Sequence, residues 1–223
     1  MKIIVCAYRE WGLKVYDSLK ETFPQCDFIL VSTPAELTNL FESAATPDMV
    51  LCVGWSWKVE GSIIDRSWVV GVHPSDLPNF AGGSPIQNQI LSGIKDTKMT
   101  LFRLSKDLDQ GPIIEKLPLS LRGHIHEIFE RLKITSIILF IDFIRKFPDI
   151  EVDFKGNHEE KRAVYKRLTP AASQVTRDQL VNLSALELFD LIRCHEDPYP
   201  NCYFEDDTGR IVFNSCEFLY KNE

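Results

Sequence analysis

No segment of this chain is apolar for long enough to cross a bilayer. The longest candidate, Ile134 to Phe147, is interrupted by Asp142 and Arg145 and falls short of the roughly 20 residues a spanning helix needs. A charged-then-apolar leader is missing too: Met1 leads directly into the β-branched run Lys2 to Ala7, which points to a cytoplasmic protein. Positive charge is in deficit. With 25 Lys and Arg against 32 Asp and Glu, the formal charge is −7 and the pI about 5.3, which argues against an electrostatic grip on nucleic acid. A small phosphorylated metabolite would need only a local basic spot. Cysteine pairs of metal-binding spacing are lacking: Cys6, Cys26, Cys52, Cys194, Cys202 and Cys216 are scattered, read as reduced thiols, and no metal is expected. No GxGxxG follows the first strand, so a dinucleotide is not the expected ligand.

What the chain has is alternation, and 44% hydrophobic content over 223 residues is enough to bury a full core. Strand patterns at Lys2 to Ala7, Phe28 to Val31, Met49 to Val53, Val69 to Val72 and from Met99 are interleaved with helical patterns at Glu10 to Glu21, Ala35 to Ser43 and Ser84 to Leu91. This order predicts an α/β fold with a Rossmann-like, mostly parallel sheet. Ile113 to Leu119 reads as an edge or antiparallel strand, because Pro118 cannot join a central ladder. A long helix starts at His124 and His126, which read as capping or surface groups. From Phe147 to Ser184 the composition shifts to a linker rich in Pro and charge, followed by an amphipathic helix from Leu183 to Cys194 and a hairpin around Asp206-Asp207-Thr208-Gly209. The expected organisation is a main domain over residues 1–147, with 148–223 as linker, helix and small β-hairpin.

Trp68 to Ile114 is the stretch around which the rest is organised. His73 sits where the Val69–Val72 strand ends and a Pro-, Ser- and Gly-rich loop begins, the edge at which open α/β sheets collect ligands. A short helix opening at Ser84 and Pro85 would turn its N–H groups toward that loop. The strand Met99 to Leu104 then delivers Asp107 and Asp109 into a turn closed by Gly111-Pro112. Residue types alone leave a plainer alternative open, with His73 a satisfied structural residue and the two aspartates turn formers.

The string HPSDLPNFAGGSPIQNQILSG, followed by LFRLSKDLDQGPII, closely resembles the formyltransferases that use 10-formyltetrahydrofolate. That family includes methionyl-tRNA formyltransferase, glycinamide ribonucleotide transformylase and the sugar N-formyltransferases, and its pattern is Asn-x-His-Pro-Ser-x-Leu-Pro, a glycine loop, Pro-Ile-Gln, then Leu-Asp-x-Gly. The resemblance implies that His73 and Asp109 are catalytic, that Ser75, Pro78 and Gly82 complete the loop around them, and that 1–147 is the catalytic domain. The family Asn does not carry over, because Gly71 stands in its place. Losing one such oxyanion donor typically costs about a hundred- to a thousandfold in rate unless something replaces it. Candidate replacements are His73 as imidazolium, an ordered water, or Asn88 or a backbone N–H from the following helix. The glycine can also open the pocket to a bulkier acceptor.

The resemblance further implies that Gly54 and Trp55 line one side of a slot for the pterin ring of the folate, with the backbone from Asp107 to Gly111 opposite. Trp55 can equally be ordinary packing, and Trp57 reads as packing. Arg9, in the turn after the first strand, is a candidate contact for an anionic or sugar-bearing substrate, with a solvated turn as the alternative. Lys166 and Arg167 are candidates for a phosphate or diphosphate, or else part of a solvated linker.

The resemblance implies the sugar N-formyltransferase branch of the family: transfer of a formyl group from 10-formyltetrahydrofolate, as co-substrate, to the primary amine of an amino-deoxy sugar linked to a nucleotide. Transfer-RNA is not expected as acceptor, since the acidic chain ends after one hairpin where methionyl-tRNA formyltransferases continue into a basic domain. Two other classes share the motif: a folate or sugar-nucleotide binding protein without chemistry, and a formyl-folate hydrolase. The edge strand of the C-terminal hairpin allows a homodimer.

Overall fold

A computed structural model describes residues 1–43, 46–152 and 163–221. In chain order its elements are β1 (Lys2–Cys6), α1 (Glu10–Thr22), β2 (Asp27–Val31), α2 (Pro34–Ser43), β3 (Met49–Cys52), the single turn α3 (Gly61–Ile64) and β4 (Trp68–His73). Then come β5 (Ala81–Gly82), α4 (Pro85–Leu91), β6 (Asp96–Arg103), β7 (Ile113–Ser120) and the long α5 (Ile125–Lys146). The remainder holds β8 (Val164–Tyr165), α6 (Arg177–Asn182), α7 (Ala185–Arg193) and a hairpin of β9 (Cys202–Asp206) and β10 (Gly209–Phe213). No helix among the described residues is long and apolar enough to cross a membrane.

The main sheet has the order β2-β1-β3-β4-β6-β7. Its first four strands are parallel, as the alternation predicts, while β6 and β7 are antiparallel additions. Helices cover both faces of the parallel part, which is why its strands read as unbroken apolar runs. Ile3 and Val5 of β1 meet Val15, Leu19 and Phe140 from α1 and α5, whereas Ile4 and Cys6 meet Leu37, Phe41 and Ile63 from α2 and α3. Each large side chain buried this way contributes roughly 1.5–3 kcal/mol. Pro118 is tolerated because, among the described residues, β7 is the sheet edge and pairs only with β6.

The stretch expected to be a plain linker is more structured. It contains β8, a 3-10 turn at Pro170–Ser173 and α6, while residues 153–162 of it lie outside the described residues. A capping box starts α6, with Thr176 Oγ1 accepting from Gln179 N (3.1 Å) and Gln179 Oε1 accepting from Thr176 N (2.9 Å). A second box, Ser184 with Glu187, starts α7 at Ala185 rather than Leu183. Arg193 at the end of α7 donates to the carbonyls of Leu121 (2.7 Å) and Gly123 (2.6 Å), and Glu196 accepts from Ile125 N (3.1 Å) at the start of α5. The His124 ring donates from Nδ1 to that same carboxylate at 2.7 Å, in keeping with a capping group.

Candidate active site

β1, β3 and β4 end side by side, and the turns beyond them bring Arg9, Gly54, Trp55 and His73 to one cavity. β6 runs the other way. Its last residue, Arg103, pairs with Val70, and Leu104 N bonds the Val69 carbonyl (2.8 Å) near the start of β4. The loop from Leu104 to Pro112, closed at its base by Arg103 N to the Pro112 carbonyl (2.9 Å), carries Asp109 back to His73. Gly111 is needed for that return, since a Cβ there would lie 1.6 Å from the Arg103 carbonyl oxygen.

His73 Nδ1 lies 3.7 Å from Asp109 Oδ2, both side chains largely buried at 9% and 13% exposure. The other ring nitrogen, Nε2, is 2.9 Å from the Phe80 carbonyl oxygen. A carbonyl can only accept, so Nε2 carries the proton and the neutral ring keeps its lone pair at Nδ1, toward Asp109. The Phe80 carbonyl therefore fixes the tautomer. Asp109 is instead positioned to stabilise the imidazolium once Nδ1 takes a second proton. Its Oδ2 also accepts from Gly82 N (2.8 Å), which holds the carboxylate in place.

Gly71 lies on the cavity wall with Leu104 packed beside it: a Cβ there would lie 2.9 Å from Leu104 Cδ1 and 3.6 Å from Cys52 Cβ, so Leu104 takes up part of the space the missing side chain would occupy. Asn88 is not a replacement donor: its Nδ2 donates to the Gly83 carbonyl (2.8 Å). Ser84, at the start of α4, has left-handed backbone (φ 48°), and its Oγ accepts from Leu168 N (3.0 Å) instead of capping the helix. Ser75 does not line the cavity. It is fully buried, its Oγ donates to the Asn79 carbonyl (2.6 Å), and its own carbonyl accepts from Thr100 Oγ1 (2.6 Å), so it braces the loop.

The cavity has a volume of about 740 Å³, within the range of small-molecule sites. Gly54, Trp55, Trp57 and Lys106 to Asp109 form part of its wall; Arg9, Tyr165, Arg167 and Tyr199 form another part. Trp57 packs on Tyr8 and Trp55, with ring centroids 4.5 and 4.8 Å apart, yet still reaches the cavity. The strap carrying Arg167 is laid on the glycine loop. Gly83 N donates to the Tyr165 carbonyl (2.8 Å), and the Phe80 and Tyr165 rings stack at 4.9 Å. The approach is so close that a Cβ on Gly82 would lie 2.3 Å from the Tyr165 oxygen, and one on Gly83 2.4 Å from Arg167 N. Of the expected basic pair only Arg167 lines the cavity, whereas Lys166 is exposed beside it. Burial pushes the Tyr199 phenol up to about 12, against the opposing pull of the nearby Arg9 and Arg167 guanidiniums.

Residues 32–124, which include His73 and Asp109, match the family model described as formyl transferase. Over that part the chain carries the sequence pattern of the formyl transferase family. The chain is similar to the methionyl-tRNA formyltransferase of Lactobacillus johnsonii, at 27% identity over 191 residues covering 84% of this chain. It spans 59% of that relative's length. Among solved structures it is similar to a methionyl-tRNA formyltransferase from Clostridium thermocellum, with TM-score 0.82 and 26% identity over 100% of this chain and 95% of that one. A 4-N formyltransferase from Francisella tularensis shares the fold, with TM-score 0.76 and 14% identity over 98% of each chain.

The chain thus gathers His73, Asp109, Gly54, Trp55, Asp107, Gly82, Arg9 and Arg167 around one cavity, leaving Ser75, Gly111 and Lys166 off its wall. Sequence reasoning missed Trp11, Tyr165, His195 and Tyr199, which also line it. Tyr199 sits in a Pro-Tyr-Pro run that reads only as a helix stop, and nothing local marks the other three.

Proposed function

We propose that this protein transfers a formyl group from 10-formyltetrahydrofolate to the primary amine of an amino-deoxy sugar carried on a nucleotide. The observation that carries the reading is the His73 lone pair at Nδ1, facing a buried carboxylate on the wall of a cavity with room for more than one ligand group. His73 takes the proton shed by the amine as its nitrogen bonds the formyl carbon, then returns it to the folate N10 as that C–N bond breaks. Asp109 stabilises the imidazolium between the two transfers. The Gly54-Trp55 turn and the Asp107–Asp109 loop suit a flat heteroaromatic ring, an apolar wall with backbone groups for its polar edge. Arg9 and Arg167 suit the diphosphate of a sugar nucleotide.

A second reading has the amine of methionyl-tRNA as acceptor, favoured by the 27% identity to a protein of that name. The net charge of −7 weighs against it. One assay separates them: 10-formyltetrahydrofolate is supplied with a panel of nucleotide-linked amino-deoxy sugars, with methionyl-tRNA, or with no acceptor, and formyl amide and free folate are quantified. Formylation of a sugar amine supports the first reading, formylation of methionyl-tRNA alone replaces it, and folate release without acceptor shows a hydrolase.

A further inference from the structure

Among the described residues, three buried side-chain nitrogens have no hydrogen-bond partner: Trp11 Nε1, Trp55 Nε1 and His195 Nε2. All three rings line the cavity that holds His73. Buried polar atoms are nearly always paired, so the gathering of these exceptions around one cavity points to a ligand that pairs them. His195 is the most enclosed, at 2% exposure, in the turn that follows α7. Its Nδ1 is 2.9 Å from the Leu191 carbonyl, which can only accept, so the proton is on Nδ1 and Nε2 presents a lone pair. Burial lowers its pKa from the ordinary imidazole value, which keeps the ring neutral and Nε2 an acceptor. This is the opposite tautomer to that of His73.

We propose that His195 is a specificity-determining residue, its Nε2 accepting a hydrogen bond from a hydroxyl group of the amine-bearing substrate. The proposal rests on the formyl-transfer reading for the ligand's class. A neutral imidazole protonated at Nδ1 has nothing to offer a phosphate or carboxylate oxygen at Nε2, and it rewards an O–H. The indole N–H of Trp11 is a donor on the same cavity, and a sugar hydroxyl both donates and accepts. A methionyl side chain brings no donor and would leave Nε2 unpaired, at the cost that any buried unsatisfied group carries.

The test uses the sugar nucleotide that the wild-type protein formylates best, and analogues of it that each lack one hydroxyl. Acceptor KM and kcat are measured for wild type, His195→Gln and His195→Leu. Wild type should disfavour one deoxy analogue by about 10- to 100-fold in kcat/KM, through KM. His195→Leu should lose that discrimination, and His195→Gln, whose amide oxygen still accepts, should keep part of it. A purely structural role would weaken parent and analogue equally, and that outcome overturns the proposal, as does a wild type indifferent to every deoxy analogue. If no sugar is formylated, the formyl-transfer reading fails on its own. Calorimetric binding of the same sugar nucleotides to wild type and both variants then carries the comparison, and binding of none of them, or equal binding of parent and analogues, overturns the assignment of His195.

Discussion

Asp109 Oδ2 stands 3.7 Å from His73 Nδ1, the ring nitrogen that the Phe80 carbonyl leaves without a proton. The division of labour that follows gives the two residues different mutational signatures. His73→Ala removes the proton acceptor and should lower kcat by about 10²- to 10⁴-fold. Asp109→Asn keeps the shape but not the charge that stabilises imidazolium, so kcat should fall by a similar or smaller factor with acceptor KM nearly unchanged. Folate binding, measured by calorimetry, should stay near wild type in both. Wild-type-like turnover in either variant would remove the acid–base assignment.

Gly71 and Leu104 form a second coupled pair. Gly71→Asn places its Cβ 2.9 Å from Leu104 Cδ1, the far end of a flexible side chain, so the leucine must move. Overpacking of this kind costs about 1–3 kcal/mol. Gly71→Asn should therefore melt lower than wild type, and adding Leu104→Ala should restore part of the loss by making room. If the double variant melts no higher than Gly71→Asn combined additively with Leu104→Ala, the two residues are not in conflict and the packing account of Gly71 is wrong.

These two pairs show where sequence was informative. Strand ends and turn residues are written locally, so the places of His73 after Val69–Val72 and of Asp109 before Gly111-Pro112 were legible from pattern, while their role as site residues came from the resemblance to the formyltransferases. The direction of β6 was not legible. A strand after a helix reads as parallel in an α/β order, yet β6 is antiparallel, and only the excursion from Leu104 to Pro112 returns Asp109 to the His73 edge. The tautomer of His73 is likewise set by the Phe80 carbonyl, a backbone atom that no residue type announces. Leu104 packed beside Gly71, and His195 reaching the cavity from beyond α7, are tertiary contacts between segments distant in sequence. The short β8 and α6 escaped because Pro and charge dominate their surroundings, although Thr176 and Gln179 spell a capping box.

The glycine pair 82–83 is the seat of the strap. Gly83→Ala sets a Cβ 2.4 Å from Arg167 N, a clash with backbone that no side-chain rotation relieves. The expected result is a displaced strap: acceptor KM raised about tenfold or more, in line with effects of misplaced binding groups, and folate affinity nearly unchanged. Limited proteolysis should cut near residue 166 faster than in wild type. An unchanged KM with an unchanged cleavage rate would show that the strap does not position Arg167.

Arg9 and Arg167 reach Tyr199 from opposite ends of the chain. If they hold a diphosphate, Arg9→Ala and Arg167→Ala should each raise the KM of a nucleotide-linked acceptor by about 10-fold or more while leaving kcat within a few-fold, the pattern of lost ground-state binding. The same variants should discriminate less between the nucleotide-linked amine and the corresponding free amino sugar. Equal KM changes for both acceptors would detach the arginines from phosphate recognition.

His195 also leaves a mark on stability. Because burial lowers its folded-state pKa below the ordinary 6.5, the unfolded chain takes up a proton near that pH that the folded chain refuses until the solution is more acid. Stability from this group is therefore present above the ordinary imidazole range and is lost as pH falls through the folded-state value. The neighbouring His124–Glu196 pair is common to wild type and to His195→Gln, so the difference between the two proteins isolates His195. Between pH 7 and 5 the Tm of wild type should fall more than that of His195→Gln, by on the order of a few degrees for a chain of this size. Parallel Tm curves would mean that the ring titrates as it does in the unfolded chain, and that its lone pair is not held in a dry, neutral imidazole.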